Sequence, residues 1–136
     1  MIKVVLDTNV LISALIKTGK PRALVFKLIR GKARLILSRE ILDEFARTAR
    51  DPEIRKYVND EDVIGFLRII GSIAKIVKVK SRFNVIRDNP SDNAILRTAY
   101  DGRVNYIVSG DNHLLALKDF RGIKIVTINE ILDLLQ

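Results

Sequence analysis

Two acidic residues stand shortly after apolar stretches of the sequence. Asp7 interrupts the opening run of residues 2–6, and Asp111 follows the apolar residues 106–108 by three positions. A carboxylate where a strand passes into a helix either caps the helix or binds a cation, and both roles fit each residue about equally well. Carboxylates of this kind, if gathered at one place, would bind a divalent metal ion that promotes phosphodiester hydrolysis.

The composition restricts the kind of metal site. The chain has no cysteine and a single histidine, His113. Disulfides and thiolate sites are therefore excluded, and a histidine-built zinc centre or a serine triad is disfavoured. Oxygen ligands remain, and these suit Mg²⁺ or Mn²⁺, for which His113 is interpreted as a structural residue rather than a ligand.

Asp92 lies on the apolar face of a predicted helix. It shares that face with Ile95 and Leu96, at offsets of three and four residues. With Asn89 as the helix cap and Pro90 as the first helical residue, an acid at position 92 would lie in the first turn and interact favourably with the helix dipole. An acid directed towards the core also needs a partner, which makes Asp92 a metal-ligand candidate.

The helix predicted at residues 38–50 carries two acids four positions apart, Glu40 and Glu44. Like charges at that spacing repel mildly unless a cation lies nearby. Glu40 is in the first turn, where the dipole and neighbouring arginines account for it. Glu44 lies one turn deeper, beside Ile41 and Phe45, and is the stronger ligand candidate.

Further residues near these acids are weaker or supporting candidates. Asp88 precedes Asp92 by four positions but lies across Pro90, so it is treated as a loop residue. The side chains of Asn9 and Ser109 would suit orienting a carboxylate or a metal-bound water, although capping and loop bonds explain them almost as well. The candidates are four proposed catalytic metal ligands (Asp7, Glu44, Asp92, Asp111), two supporting residues (Asn9, Ser109) and three weaker ones (Glu40, Asp88, His113).

The charge distribution separates bases from acids. The net charge is +8, from 24 Lys and Arg against 16 Asp and Glu. Residues 8–39 contain eight bases and no acid, residues 63–87 contain six bases and no acid, and each stretch ends at an acidic cluster. Scattered cations usually form a solvated face. Gathered acids surrounded by bases are typical of a nuclease, in which the bases hold phosphates and the acids hold metal.

Strands and helices must position these residues, and they alternate along the chain. Alternation predicts an α/β fold with a parallel sheet covered on both sides. Ligands of such sheets gather beyond the carboxyl ends of the strands, where Asp7 and Asp111 are expected. Strands are predicted at residues 2–6, 35–37, 76–79, 106–109 and 123–126, and helices within 10–28 and at 38–50, 60–74, 93–100, 112–117 and 129–135.

Length and hydropathy set the remaining expectations. A chain of 136 residues suits a single domain over residues 1–136. Asp7 interrupts the first apolar stretch, and no uncharged stretch approaches the roughly 20 residues that span a bilayer. We therefore expect a cytoplasmic protein without membrane contact.

The chain resembles the PIN domain family of metal-dependent ribonucleases. The resemblance rests on four acidic segments and a final apolar strand, in the family's order over essentially the whole chain. It is most similar to small prokaryotic PIN toxins of toxin–antitoxin pairs. The segments are LDTNVLISAL, LSREILDEF, DNPSDNAILRTA, YIVSGDNHLL and IKIVTINEIL.

The resemblance implies roles for particular residues. Ser109 falls at the family's usual Ser or Thr, and Asn9 matches the polar residue two positions after the first acid. Asn112 and His113 stand where some members carry a further acid, so the number of ions, one or two, stays open. The family's acidic quartet corresponds to Asp7, Glu44, Asp92 and Asp111.

The resemblance also implies a fold and partners. The fold would be a three-layer α/β/α sandwich with a parallel sheet in the order 3-2-1-4-5, which brings Asp7 and Asp111 together. RNA would be the substrate, a small antitoxin a partner, and the chain would associate into a dimer or larger homo-oligomer. The amphipathic segments at residues 20–30 and 60–74 are the candidate surfaces for protein contacts.

The sequence therefore predicts a Mg²⁺- or Mn²⁺-dependent endoribonuclease, the toxin of a toxin–antitoxin pair. One alternative is a noncatalytic PIN scaffold that binds RNA or a protein partner. Another is a phosphatase with an aspartyl nucleophile, for which Asp7 and Thr8 would suit. That motif normally requires a second acid where Asn9 stands.

Overall fold

A computed structural model of the protein describes residues 1–87 and 89–136. The predicted Asp88 candidate lies outside these described residues. The strands are β1 (Lys3–Leu6), β2 (Arg34–Leu37), β3 (Ala74–Ile76), β4 (Tyr106–Val108), β5 (Asp119–Phe120) and β6 (Ile123–Val126). The helices are α1 (Thr8–Ile16), α2 (Lys20–Ile29), α3 (Arg39–Thr48), α4 (Pro52–Arg55), α5 (Asp60–Ile73), α6 (Ser91–Asp101), α7 (Asn112–Leu115) and α8 (Ile128–Leu134).

The strands form one sheet in the order β3-β2-β1-β4-β6-β5. All neighbouring pairs are parallel except β5 and β6, which are antiparallel. The predicted α/β class with a central, mostly parallel sheet is confirmed. The predicted order of five strands differs from the observed order because β5 is an additional strand at the edge.

Strand β5 was missed because two residues carry no periodicity that a sequence pattern could reveal. It pairs with β6 through a tight turn in which Arg121 and Gly122 adopt positive φ angles of 50° and 86°. Glycine adopts this conformation without steric cost. The turn connects β6 to β5, which is the edge strand on this side of the sheet.

The central strand β1 is covered on both faces. Its consecutive residues Val4, Val5 and Leu6 are all completely buried, and successive side chains of a strand point to opposite faces. Helices therefore shield both sides of the sheet, as expected for a parallel arrangement. No helix in the described parts of the chain is long and apolar enough to cross a membrane.

The predicted third strand at residues 76–79 was placed too late. Helix α5 ends at Ile73 and β3 follows at once, from Ala74 to Ile76. Among the described residues, one further bond to the neighbouring strand, from Val77 N to Leu37 O at 2.8 Å, continues the sheet. Beyond Val77 the chain leaves β2 and is hydrogen bonded by side chains of α6, so residues 78 and 79 do not extend the predicted strand.

Candidate metal centre

Asp7 lies at the carboxyl end of β1, beside the end of β4. The register pairs Leu6 with Val108, and Asp7 N donates to Val108 O at 3.1 Å. One carboxylate oxygen, Oδ1, accepts a hydrogen bond from Val10 N at 2.8 Å and thereby caps α1. The other oxygen, Oδ2, accepts a hydrogen bond from the Ser109 hydroxyl. Asp7 is thus a helix cap and, with 3% of its surface exposed, also a buried acid at the sheet edge.

Ser109 connects Asp7 to the loop that carries Asp111. Its backbone N donates to Val126 O at 3.0 Å, which places it at the ends of β4 and β6. While its hydroxyl donates to Asp7, its oxygen accepts from Asp111 N at 2.9 Å. The buried serine therefore holds the two aspartates at neighbouring strand ends.

Asp111 is the N-cap of the short helix α7. Its Oδ1 accepts a hydrogen bond from His113 N at 2.7 Å, and His113 Nδ1 lies 3.5 Å from the same oxygen. The capping interpretation thus holds for Asp111 as it does for Asp7. In both Asp7 and Asp111 the capping oxygen is Oδ1, so the capping hydrogen bond does not involve Oδ2 of Asp111.

Asp92 lies in the first turn of α6 with 7% of its surface exposed. Ile95 and Leu96 on the same face are buried, which agrees with the predicted helical face. Asp92 Oδ2 is buried and accepts no hydrogen bond from the described residues. A buried carboxylate oxygen without a partner costs free energy, which a cation at this position would offset.

Glu44 reaches the same region from α3. Its Oε2 accepts a hydrogen bond from Thr8 Oγ1 at 3.0 Å. The buried neighbours Ile41 and Phe45 anchor this side of α3 on the core. The side chain of Glu44 is therefore oriented by the first residue of α1, directly after Asp7.

The four acids line one small cavity of about 60 Å³, a volume suited to ions and water rather than to an organic ligand. No basic side chain of the described residues lines this cavity. The lining residues are Asp7, Thr8, Asn9, Glu44, Asn89, Ser91, Asp92, Ile95 and Asp111.

Burial and mutual repulsion raise the proton affinity of two of the acids. Burial raises the pKa of Asp7, bonds from Ser109 and Val10 oppose that effect, and the charges of Asp111 and Glu44 raise it further. Burial likewise raises the pKa of Asp92 to about 6, with added repulsion from Asp111, Asp7 and Glu44. A divalent cation would relieve the repulsion that these shifts report.

One group of potential ligand atoms shares two members with the predicted quartet, Asp92 and Asp111, and contains His113 in addition. Asp92, Asp111 and His113 can each place a ligand atom within 4.8 Å of the other two. His113, predicted as structural, is therefore adjacent to the acids. Hard cations prefer the two carboxylates of this group over the imidazole, so His113 remains a neighbour of Asp111 rather than a favoured ligand.

The remaining predicted residues fall into different places. Asn9 lines the cavity, whereas Glu40 is exposed on α3 and does not. Asn89 was predicted to cap α6, but its side chain accepts from the Ser91 hydroxyl at 2.9 Å instead, and no side chain among residues 1–87 and 89–136 caps this helix. The helix begins at Ser91, one residue after Pro90, the expected first helical residue, and two residues before the predicted range 93–100; Pro90 occupies the capping position.

Sequence reasoning missed three polar residues of the cavity wall. Thr8, Asn89 and Ser91 line the cavity, and Thr8 also binds Glu44. Their polar side chains flank Asp7 and Asp92 in sequence, which is the signal that could have indicated them. The contact of Thr8 spans 36 residues of sequence and depends on the packing of α1 against α3.

Comparison with known proteins agrees with this architecture. A family model described as "PIN domain" matches residues 3–113. The protein named "Uncharacterized protein MJ1680" from Methanocaldococcus jannaschii is 36% identical over 120 residues, which cover 87% of this chain and 76% of the relative.

Two solved structures share the fold. One is VapBC2 from Rickettsia felis bound to a DNA fragment from their promoter, with a TM-score of 0.65 and 16% identity over 93% of this chain and 98% of that chain. The other is PAE2754 from Pyrobaculum aerophilum, with a TM-score of 0.65 and 17% identity over 98% of this chain and 89% of that chain. At these identities the likeness establishes the fold alone.

Proposed function

Because the chain belongs to the PIN domain family, whose members are generally nucleases, we propose that it is a metal-dependent endoribonuclease and the toxin of a toxin–antitoxin pair. The observation that carries this proposal is the cavity at the sheet edge, where four carboxylates gather without a basic partner among the described residues. The acids that predicted this chemistry lie far apart in sequence, and the fold brings them to one cavity.

The residues present fit a Mg²⁺ or Mn²⁺ site. Asp92 has a buried oxygen without a hydrogen-bond donor among the described residues, and the cavity offers hard carboxylate oxygens. Asp7, Asp92 and Asp111 would hold the ion, with Glu44 binding directly or through water. The bound ion would supply charge neutralisation at the phosphate and lower the pKa of water.

The surrounding residues keep these ligands in place. Ser109 donates to Asp7 and accepts from the backbone of Asp111, so both acids are oriented before substrate arrives. The Thr8 hydroxyl donates a hydrogen bond to Glu44 and orients that carboxylate in the same way. Hydrolysis by water attack on phosphorus, with departure of the 3′ oxygen, would leave 5′-phosphate and 3′-hydroxyl ends.

An apolar groove supports a protein partner, which we propose to be a small antitoxin. The groove has a volume of about 480 Å³ and runs between α2 and α5, in the two amphipathic segments indicated by the sequence. Phe26 and Tyr57 on its walls are 51% and 68% exposed, and apolar exposure of this kind is typical of interaction sites. Two acids, Glu61 and Asp62, and one base, Arg22, line the groove, which favours a partner segment that combines apolar residues with a base.

RNA cleavage tests the enzymatic proposal directly. Purified protein would be incubated with structured and unstructured RNA and Mn²⁺, with or without a chelator. We expect cleavage that requires the metal and that Asp7→Asn reduces by at least about 100-fold, since one of the carboxylates that would hold the ion is lost. The matched control is Asp43→Asn, which removes an exposed acid of α3 outside the cavity and should leave the rate unchanged.

Equal cleavage by the Asp7→Asn variant would attribute the activity to a contaminant and overturn the proposal. Calorimetry separates the noncatalytic alternative, because a scaffold without a functional metal site should give no binding specific to divalent ions. A phosphoenzyme formed from a small phosphate ester would favour the phosphatase alternative instead.

A further inference from the structure

Helix α6 holds an extended segment of the chain, residues 78–86, along its length. Asn93, Arg97 and Asp101 are four residues apart and therefore lie on one face of the helix. All three bind this segment, mostly through its main chain.

Asp101 Oδ2 accepts from Lys80 N at 2.7 Å, Ser81 N at 3.0 Å and Ser81 Oγ at 2.9 Å. Arg97 Nε donates to Phe83 O at 2.8 Å. Asn93 accepts from Val85 N at 2.8 Å and Ile86 N at 3.0 Å and donates to Ile86 O at 2.7 Å.

The segment, here called the strap, presents cations on its outer side. Lys78, Lys80 and Arg82 are exposed, while the intervening residues 79 and 81 are partly buried. Alternate residues of an extended chain point the same way, so the three cations share one face. The α6 bonds use main-chain groups, which leaves the three charged side chains directed to solvent.

None of these cations forms an ion pair within 4.0 Å in the described parts of the chain. Asp101 Oδ2 accepts from three donors of the strap, and its negative charge acts on Lys80 although the two form no ion pair. With three cations and this one acid, the strap therefore carries an excess of positive charge. Such charge raises the local concentration of anions along its face.

The strap leads to the carboxylate cavity. It runs antiparallel to α6, from Asp101 at the last residue of the helix to Asn93 in its first turn. Asn89 and Asp92, which lie next to that end, line the cavity. The 11 residues of α6 span about 16 Å, so the cations begin roughly one helix length from the acids.

Aromatic side chains accompany the cations at the far end of the strap. The guanidinium of Arg121 lies 4.6 Å from the ring centre of Phe83 and 5.0 Å from that of Tyr100. Tyr100 is 43% exposed. Proteins that bind single-stranded nucleic acid combine a basic track for the backbone with aromatic and arginine surfaces on which bases stack.

We propose that Lys78, Lys80 and Arg82 bind the phosphates of single-stranded RNA and guide the strand along α6 to the carboxylate cavity. The proposal rests on the proposed ribonuclease function, for which it identifies a substrate-binding surface outside the metal centre. A solvated basic face would bind no strand preferentially, whereas the hydrogen bonds from α6 hold the main chain of the strap and keep its three cationic residues in one row.

Salt-dependent RNA binding tests this surface independently of cleavage. Binding of a fluorescein-labelled single-stranded RNA would be measured by anisotropy in EDTA over a range of KCl concentrations. Each phosphate contact to a single strand contributes about −0.7 to the slope of log K against log salt concentration. The triple variant Lys78→Gln, Lys80→Gln, Arg82→Gln should therefore reduce the slope by about 2 and weaken binding at low salt by at least about tenfold.

A matched control removes the same charge elsewhere. Lys17→Gln, Arg30→Gln, Lys32→Gln neutralises three cations near the ends of α1 and α2, and its slope should stay within about 0.7 of wild type. The charge-retaining variant Lys78→Arg, Lys80→Arg, Arg82→Lys should bind as wild type does. Circular dichroism would establish that all variants fold, which we expect because α6 binds the strap mainly through its main chain.

The outcomes separate the two proposals. Equal slopes for the strap and control variants overturn the RNA track, even if wild type cleaves RNA with Mn²⁺. A selective loss in the strap variant supports the track, even if no cleavage is found and the nuclease proposal fails. An equal loss for duplex DNA would assign the strap to polyanions in general and overturn the assignment to single strands.

Discussion

The buried hydroxyl of Ser109 donates a hydrogen bond to Oδ2 of Asp7, a residue 102 positions earlier in the chain. The same hydroxyl oxygen accepts from the backbone of Asp111 at 2.9 Å. One side chain thus orients two of the proposed metal ligands at neighbouring strand ends. Hydrogen bonds to ligating carboxylates typically affect metal affinity or activity by about 10–100-fold.

Replacement of Ser109 should therefore weaken the metal site without removing a ligand. We expect Ser109→Ala to lower Mn²⁺ affinity, measured by calorimetry, and the rate of RNA cleavage by about 10–100-fold each. The loss of a partner for a buried carboxylate should also lower the free energy of unfolding by about 1–3 kcal/mol. Ser72→Ala, at an exposed serine of α5, is the control. Metal affinity that is unchanged in Ser109→Ala would contradict this role.

Thr8 should orient Glu44 through its hydroxyl. Thr8→Val retains a similar shape but removes the 3.0 Å bond to Glu44 Oε2, and we expect the rate of RNA cleavage to fall by about 3–10-fold. The fall should be smaller than that caused by Glu44→Gln, which alters the carboxylate itself. Thr8→Ser keeps the hydroxyl and should restore most of the activity. If Thr8→Ser is as slow as Thr8→Val, the hydrogen bond is not the cause.

The raised pKa of Asp92 predicts how stability depends on pH when no metal is present. Burial, followed by repulsion from the other acids, raises its folded-state pKa to about 6 from the usual 3.8. Between about pH 3.8 and pH 6, Asp92 therefore keeps its proton in the folded protein but has lost it in the unfolded chain. This contribution to stability is fully present below about pH 3.8 and is lost as pH rises through about 6.

Asp92→Asn should remove that pH dependence. In EDTA, the variant should exceed wild type in unfolding free energy by about 1–3 kcal/mol at pH 8, and the difference should shrink towards pH 4. Thermal unfolding followed by circular dichroism at several pH values measures this. A difference that does not vary between pH 4 and pH 8 would show that Asp92 is not the titrating group.

Metal binding should reverse the effect of repulsion among the acids. Mn²⁺ at 100 times its dissociation constant should stabilise wild type by about 2.7 kcal/mol, and chelation should remove this gain. The gain should be lost in Asp7→Asn and kept in Asp43→Asn, whose acid is exposed and outside the cavity. Equal stabilisation of all three proteins would indicate nonspecific binding of the ion at the surface.

Asn93 should be the most important anchor of the strap for stability. Its side chain, 2% exposed, makes three bonds to the backbone of Val85 and Ile86. Asn93→Ala leaves those backbone groups without partners and should lower the free energy of unfolding by about 2–4 kcal/mol in chemical denaturation. Asn129→Ala, which removes a surface bond to Lys20, should cost under about 0.5 kcal/mol. Equal costs would contradict the anchoring role.

Local features of the fold were predictable because they depend on neighbours within about four residues. The continuous apolar runs gave β1, β4 and β6, and helical spacing gave α5 and α6 to within two residues at each end. Asp7 and Ser38 were recognised at the starts of helices, and both side chains accept the expected capping bonds. Capping is a local interaction, so its pattern is visible without knowledge of the fold.

Features that depend on distant contacts were not predictable in the same way. Strand β3 begins two residues earlier than expected because pairing with β2, rather than local hydrophobicity, sets its limits. The bond between Thr8 and Glu44 and the anchoring of the strap by α6 also join separate parts of the chain. No local pattern reports which backbone groups such side chains will meet.

The sequence by itself determined which chemical groups and local elements this protein has: oxygen ligands without thiols, segregated bases and acids, and a series of alternating strands and capped helices. It left open whether Asp7 was a cap or a site residue, because a carboxylate has two oxygens and the local pattern accounts for one. The tertiary structure decided that Oδ1 caps α1 while Oδ2 meets Ser109 across the sheet. That contact exists because β1 and β4 pair in parallel register, and register is a property of the assembled sheet.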